Sequence, residues 1–170
     1  MDGFIQTLLG FTQDLGYTGI FLLMTVESSF VPFPSEVVIP PAAYLAAKGE
    51  FNLIFIIVFG VFGSLAGALI NYYLAYFLGR PLVYILAEKK WAKYLLINRK
   101  KVEKAEHYFL KYGNLSTFIG RLLPGIRQMI SLPAGFVKMP IWPFIFYTIL
   151  GSGVWVTFLA VVSYVAGLKL

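Results

Sequence analysis

Two runs of this chain carry no charged residue, positions 51–79 and 139–168. As an α-helix the first run would be about 44 Å long at ~1.5 Å per residue. That is enough to cross a hydrocarbon core of roughly 30 Å with some tilt. The second run, taken as a helix over 141–168, does the same, with Trp142 placed as an interfacial anchor. The totals point the same way. Hydrophobic residues make up 59% of the chain and charged residues only 13%, where a soluble domain carries about 25%. Mean hydropathy is +0.77. The expectation is an all-α integral membrane protein, one domain over 1–170.

Charge and cysteine content exclude several classes. Net charge is +6, but nine of the fourteen Lys and Arg lie between Arg80 and Lys111. Such a block marks a cytoplasmic segment, so no nucleic-acid partner is expected. With no cysteine there is no disulfide framework and no Cys metal site. The sequence has no Gly-rich phosphate loop ending in Lys-Ser/Thr and no His-Glu-x-x-His. The single histidine, His107, lies in the basic block, away from Ser28, Ser29 and Ser35. No enzyme, metal or cofactor is expected. The start, Met1-Asp2-Gly3, has no basic segment leading to a cleavage site, so no removable signal is expected.

The remaining segments are shorter. Residues 1–15 read as an interfacial amphipathic segment ended by Gly16. Residues 16–48 form two apolar arms around Phe30-Val31-Pro32-Phe33-Pro34-Ser35, with Glu27 and Glu36 on either side. Neither arm reaches the ~20 residues that a spanning helix needs. Pro32 and Pro34 stop a helix from running through. The expectation is a re-entrant hairpin with these prolines at its tip; a single kinked helix over about 16–40 is the alternative. Residues 80–112 read as a basic cytoplasmic segment with one or two surface helices. Residues 113–138 repeat the hairpin pattern around Pro124 and Gly125.

A shift of 88 residues aligns the two halves weakly. Gly63-Ser64 falls on Gly151-Ser152, Tyr76 on Tyr164, Gly79 on Gly167, Phe30 on Phe118 and Ala46 on Ala134. Glu36 falls on Pro124. Each unit, a hairpin plus one spanning helix, crosses the membrane once, so the second is inverted relative to the first. The hairpins would enter from opposite faces and meet at mid-depth, where repeat-built transporters hold their substrates. On this reading the 51–79 helix ends in the cytoplasm, the glutamate hairpin opens outward and the arginine hairpin opens inward.

The second hairpin holds the costly residues. Arg121 and Arg127 are the only charges between Lys111 and Lys138, and an arginine at membrane depth costs ~2.5–3.5 kcal/mol on insertion scales. Planar guanidinium forks suit phosphate oxygens, and a helix broken at Pro124 leaves N–H groups facing an anion. The pair therefore reads as a phosphate site. The competing reading is structural, each arginine paired with Glu27 or Glu36. A desolvated carboxylate also titrates nearer neutrality, which suits Glu27 and Glu36 to a proton relay. Ser35 is placed to cap the second arm, with Glu36 in its first turn.

The segments Glu27-Ser-Ser-Phe-Val-Pro-Phe-Pro-Ser-Glu36, Gly63-Ser-Leu-Ala-Gly67, Phe118-Ile-Gly-Arg-Leu-Leu-Pro-Gly-Ile-Arg127 and Leu132-Pro-Ala-Gly135 resemble the DedA (VTT, SNARE-associated) membrane proteins over about residues 16–167. The resemblance implies two facing hairpins in the bacterial inner membrane and a multi-pass topology. It implies a proton-coupled flippase for a lipid phosphate, undecaprenyl phosphate above all. A phospholipid translocase or scramblase, and a non-transporting membrane-homeostasis scaffold, are the alternatives. The implied partners are membrane lipids and protons. By position, Glu27 and Glu36 match the family's acidic pair, and Arg121 and Arg127 its arginine pair. Two departures stand out. Ala68 occupies a position where the family commonly has aspartate. Many members also continue into a further C-terminal helix, so this chain is either a short member or a truncated one.

Overall fold

The computed structural model describes residues 2–29, 35–88, 99–123 and 126–169. The hairpin tips expected at Pro32, Pro34, Pro124 and Gly125 lie outside the described residues. All regular structure among the described residues is helical. In chain order it comprises α1 (Asp2–Ser28), a 3-10 turn (Ser35–Val37), α2 (Ile39–Ala47), α3 (Leu53–Glu88), α4 (Arg99–Tyr112), α5 (Leu115–Leu122), α6 (Ser131–Phe136) and α7 (Ile141–Gly167).

Two glycines set the breaks. Gly16, at φ 58° and ψ −141°, divides the first segment of α1 from the apolar arm after it. Gly79, at φ 70° and ψ 171°, breaks α3 where the charge-free run ends. Both lie at positive φ, where side chains with a Cβ are strained. Past Gly79 the chain stays helical to Glu88, into the segment read as a basic cytoplasmic loop. Two 27-residue helices, Leu53–Gly79 and Ile141–Gly167, are long and apolar enough to cross a membrane. Their outer faces carry exposed Phe55, Phe62, Ile70, Phe77, Phe146, Phe158 and Val162. A soluble surface rarely presents so continuous an apolar face. Trp142 is 78% exposed at the start of α7.

Packing crosses between the halves. The arm of α1 lies on α3 while α2 lies on α7; α5 lies on α7 while α6 lies on α3. Exchanging α3 with α7 turns one set of contacts into the other. Close approach depends on glycine. A Cβ on Gly67 would lie 2.4 Å from the Thr25 carbonyl oxygen, and one on Gly63 would lie 2.5 Å from that of Phe21 and 2.8 Å from Met24 Cβ. Across the other interface, a Cβ on Gly151 would lie 2.8 Å from Arg121 Cβ and 3.2 Å from the Phe118 oxygen.

These contacts correct the internal alignment. Gly63 and Gly151 do take equivalent places, as the 88-residue shift requires of α3 and α7. The matching arm residues, however, are Phe21 with Phe118 and Met24 with Arg121, not Phe30 with Phe118. The shift does not carry over to α1 and α5, so the pairing of Glu36 with Pro124 loses its basis. The reason is packing. Register between helices follows the glycine that admits the neighbouring backbone, and the two connections differ in length.

Among the described residues two apolar cores stand out. One gathers Ile20, Met24, Ile39, Ala43, Ile56 and Val156; the other gathers Ala68, Tyr72, Phe109, Ala134 and Phe144. Ile56 therefore sits with Val156, and Tyr72 with Phe144, their rings 4.7 Å apart, so α3 and α7 run antiparallel. Phe109 anchors α4 to the second core, while His107 on the same helix is exposed.

Replacing Gly67 with alanine forces α1 away from α3 and is expected to destabilise the protein by about 1–3 kcal/mol. A Cβ on Gly153 meets nothing within 4 Å, so Gly153→Ala should melt at or above the wild-type temperature. Thermal unfolding in detergent separates the two.

Candidate functional site

Between the two cores lies a polar layer. Ser64 and Ser152 are each the twelfth residue of their 27-residue helix, so both fall within about 3 Å of its mid-point at ~1.5 Å per residue. Both are buried, and around them the arms bring their polar groups together.

Arg121 sits in the last turn of α5 and is 5% exposed. Its Nη1 donates to Ser152 Oγ at 3.3 Å and its Nη2 to Ser131 Oγ at 3.0 Å. Its Nε has no acceptor, and no carboxylate pairs with it among the described residues. Two neutral hydroxyls hold a full charge. Gly151 makes this placement possible, because only a glycine lets α5 approach closely enough to lay the arginine stem along α7.

Arg127 is balanced. It follows a tight turn in which the Ile126 and Arg127 amides both donate to the Leu123 oxygen at 3.2 Å. Its Nη2 donates to Glu27 Oε1 and, at 2.9 Å, to Ser35 Oγ. The guanidinium lies over the Trp155 ring, 5.4 Å from its centroid, a cation–π geometry. Trp155 Nε1 donates to the same Ser35 Oγ at 3.1 Å. Glu27, 1% exposed near the end of α1, receives a second hydrogen bond from Ser28 Oγ at 2.8 Å. Glu27 is thus buried and Arg127 largely so, and the pair is hydrogen-bonded beyond its own contact, as a pair taken out of water must be.

Asn71 ties the halves together at this level. Its Nδ2 donates to the Ser28 oxygen at 3.2 Å and to the Gln128 oxygen at 3.4 Å. These carbonyls lie next to Glu27 and Arg127 in the chain, so one amide from α3 sets the register of the ion pair. Its Oδ1 has no partner among the described residues.

Glu27, Arg121 and Arg127 line one cavity together with Ser28, Ser64, Ser152 and Trp155. The cavity measures about 10 Å³, the space of a single water. An anion as large as phosphate enters only if an arm withdraws.

Three of the four charged residues singled out in the sequence therefore meet. Glu36 does not join them: it is exposed on the 3-10 turn and pairs with neither arginine. Ser35 was expected to cap the second arm, but α2 begins after Val38 with no side-chain cap, and the Ser35 hydroxyl goes to Arg127 and Trp155 instead. Ser131 and Trp155 were not foreseen as site residues. Their signal was spacing: Trp155 falls one turn beyond Gly151-Ser152, the pair that the internal repeat singles out.

The comparisons with known proteins fit this picture. A family model described as the VTT domain matches residues 33–165. The chain belongs to the VTT-domain (DedA) family. It is 39% identical over 136 residues to the uncharacterized membrane protein YkoX of Bacillus subtilis, covering 80% of this chain and 58% of that one. It thus spans little more than half the length of that relative. To the undecaprenyl phosphate transporter A of Bacillus subtilis it is 32% identical over 155 residues, 91% of this chain and 74% of the other. To a protein of Lactococcus lactis named alkaline phosphatase-like it is 33% identical over 150 residues, 88% and 70% of the two chains. No solved structure matches it.

Within this VTT-domain protein, Glu27→Gln and Arg127→Gln each strand the partner charge and are expected to cost about 3–5 kcal/mol. The double variant should cost less than the sum of the two, because the stranded charge is gone. Asn71→Leu removes two donations to carbonyls at the arm ends and is expected to cost about 1–3 kcal/mol. Chemical denaturation in detergent measures all four.

Proposed function

We propose that this protein moves a lipid phosphate, most plainly undecaprenyl phosphate, across the cell membrane, and that it does so without breaking a covalent bond. The observation that carries the reading is Arg121. It is a buried guanidinium with a free Nε and no described carboxylate partner, beside a pair in which Glu27 already neutralises Arg127. The layer therefore holds one unbalanced positive charge at mid-height of two membrane-length helices. A charge so placed is costly unless it meets an anion. The name carried by the Bacillus subtilis and Staphylococcus aureus relatives, undecaprenyl phosphate transporter A, supplies the candidate anion.

The topology proposed with it is an inverted repeat of two re-entrant hairpins in a multi-pass protein, with the basic 80–112 segment facing the cytoplasm. The crossed packing of α1, α2, α5 and α6 on α3 and α7 supports it. In transport, the phosphate docks on Arg121 first. A doubly charged phosphate monoester then competes with Glu27 for Arg127. Protonation of Glu27 releases Arg127 and raises the charge of the layer from one to two, matching a phosphate dianion. Glu27 is thus the proposed proton-coupling group. Glu36, on the exposed turn, is left without a part in the exchange.

A second reading, a phospholipid translocase, rests on the same excess of one charge, which matches a phosphodiester monoanion without help from Glu27. The two differ in their dependence on protons. In proteoliposomes the lipid-phosphate reading expects an inward-acid pH gradient to drive undecaprenyl phosphate flipping. Arg121→Gln should abolish it, and Glu27→Gln should remove its dependence on the gradient. Flipping of phosphatidylethanolamine, equal in the wild type and Glu27→Gln, would favour the second reading. Release of inorganic phosphate from the lipid would overturn both and point to the alkaline phosphatase-like name of the Lactococcus relatives.

A further inference from the structure

The outer face of α7 is not smooth. The row of side chains at every fourth position, Leu150–Val154–Phe158–Val162, stands proud, while the adjacent row dips at Gly153 and Thr157. Rows of this kind form the ridges and grooves of a helix surface. The result is an open groove of about 740 Å³. Phe158 is 58% and Val154 53% exposed along it. Thr157 is its single polar residue. A Cβ on Gly153 would meet nothing within 4 Å, so the glycine is not there to admit another described helix.

This groove lies at the height of the polar layer. Ser152, Trp155 and Val156 line the cavity around Arg121 and Arg127, and Gly153, Val154 and Phe158 line the groove, all within two turns of one helix. Trp155 is the wall between the two. One side of its ring meets the Arg127 guanidinium, and its ring centroid is 6.2 Å from that of Phe158. Its N–H holds it to Ser35, on the segment that opens into α2.

We infer that the α7 groove seats the hydrocarbon chain of a lipid monophosphate whose head group reaches Arg121 past Trp155, so that the site loads sideways from the bilayer. The inference rests on the phosphate reading above and adds the place of the chain and the route. The unbalanced charge of Arg121 selects an anionic head. The groove, lined by two adjacent rows of α7, takes the hydrocarbon chain. Trp155 is the lateral gate: it opens when its hydrogen bond to Ser35 and its stacking on Arg127 are given up together, and a phosphate replacing the Glu27 contact on Arg127 disturbs both. Inside a bilayer the chain gains packing, not dehydration, so the groove guides and orients more than it tightens.

The test uses Trp155 as its own reporter. The chain has three tryptophans, and Trp91→Phe with Trp142→Phe leaves only Trp155. Its fluorescence is titrated with a long-chain prenyl monophosphate and, separately, with inorganic phosphate, in the full chain in detergent. Gly153→Leu fills the groove without displacing a described neighbour, and Thr157→Leu, at an exposed position, fills the same dip if the first variant is poorly made. Either should weaken the prenyl phosphate response by roughly threefold to tenfold and leave the inorganic phosphate response unchanged. Arg121→Gln should abolish both. An unchanged prenyl phosphate response in both groove variants overturns the inference while the Arg121 result stands. Persistence of both responses in Arg121→Gln overturns the phosphate reading beneath it. Conversion of a dimer to a monomer by Gly153→Leu would make the groove a self-association face, and the inference would fall.

Discussion

A guanidinium buried at the middle of two membrane-length helices, with hydroxyls in place of a carboxylate, is the constraint on which the rest of this molecule turns. A charge in that setting costs several kcal/mol unless polar groups surround it. Ser152 comes from α7 and Ser131 from α6, while Arg121 itself is on α5, so three elements must converge before the residue is tolerable. The Glu27–Arg127 pair adds the first half of the chain to the same layer, and Asn71 fixes the pair from α3. The two apolar cores flank the layer, and their low dielectric strengthens its electrostatics. Among the described residues the layer holds one cation in excess.

Glycine decides how that layer is assembled. Gly63 and Gly67 admit α1 to α3, and Gly151 admits α5 to α7. The two interfaces are alike in kind but not in content, since Met24 stands where Arg121 stands in the other. The two glycine-lined docking places are alike, and one is apolar while the other is charged. Met24 belongs to an apolar core; Arg121 belongs to the cavity. Among the described residues the layer therefore carries a single unbalanced charge, not a symmetric pair of sites.

Much of this was legible from the residue order. The charge-free runs required two long apolar helices, because a long, continuously apolar segment satisfies its own backbone groups in hydrocarbon only as a helix, barrel strands being short and alternating. Gly16 and Gly79 marked breaks that the structure bears out. Arg121, Arg127 and Glu27 drew attention because charges are rare in so apolar a chain. What misled was proximity in sequence. Glu36 looked equivalent to Glu27, and Ser35 looked like a helix cap, because each lies beside the proline-rich segment. Side-chain direction is what separates them: Ser35 faces inward and Glu36 outward on the same 3-10 turn.

The sequence by itself therefore determined the class of the protein, its long helices, and which charges had to be accounted for, since those follow from transfer free energies summed along the chain. Only the tertiary structure decided which carboxylate meets which arginine. That choice depends on the register at which glycines let helices approach, and register is set by contacts between residues 100 or more positions apart. It paired Arg127 with Glu27, turned Glu36 away and left Arg121 to two serines. The same packing put Trp155 between a polar cavity and an apolar groove, a juxtaposition that one helix creates by presenting two faces to two different surroundings.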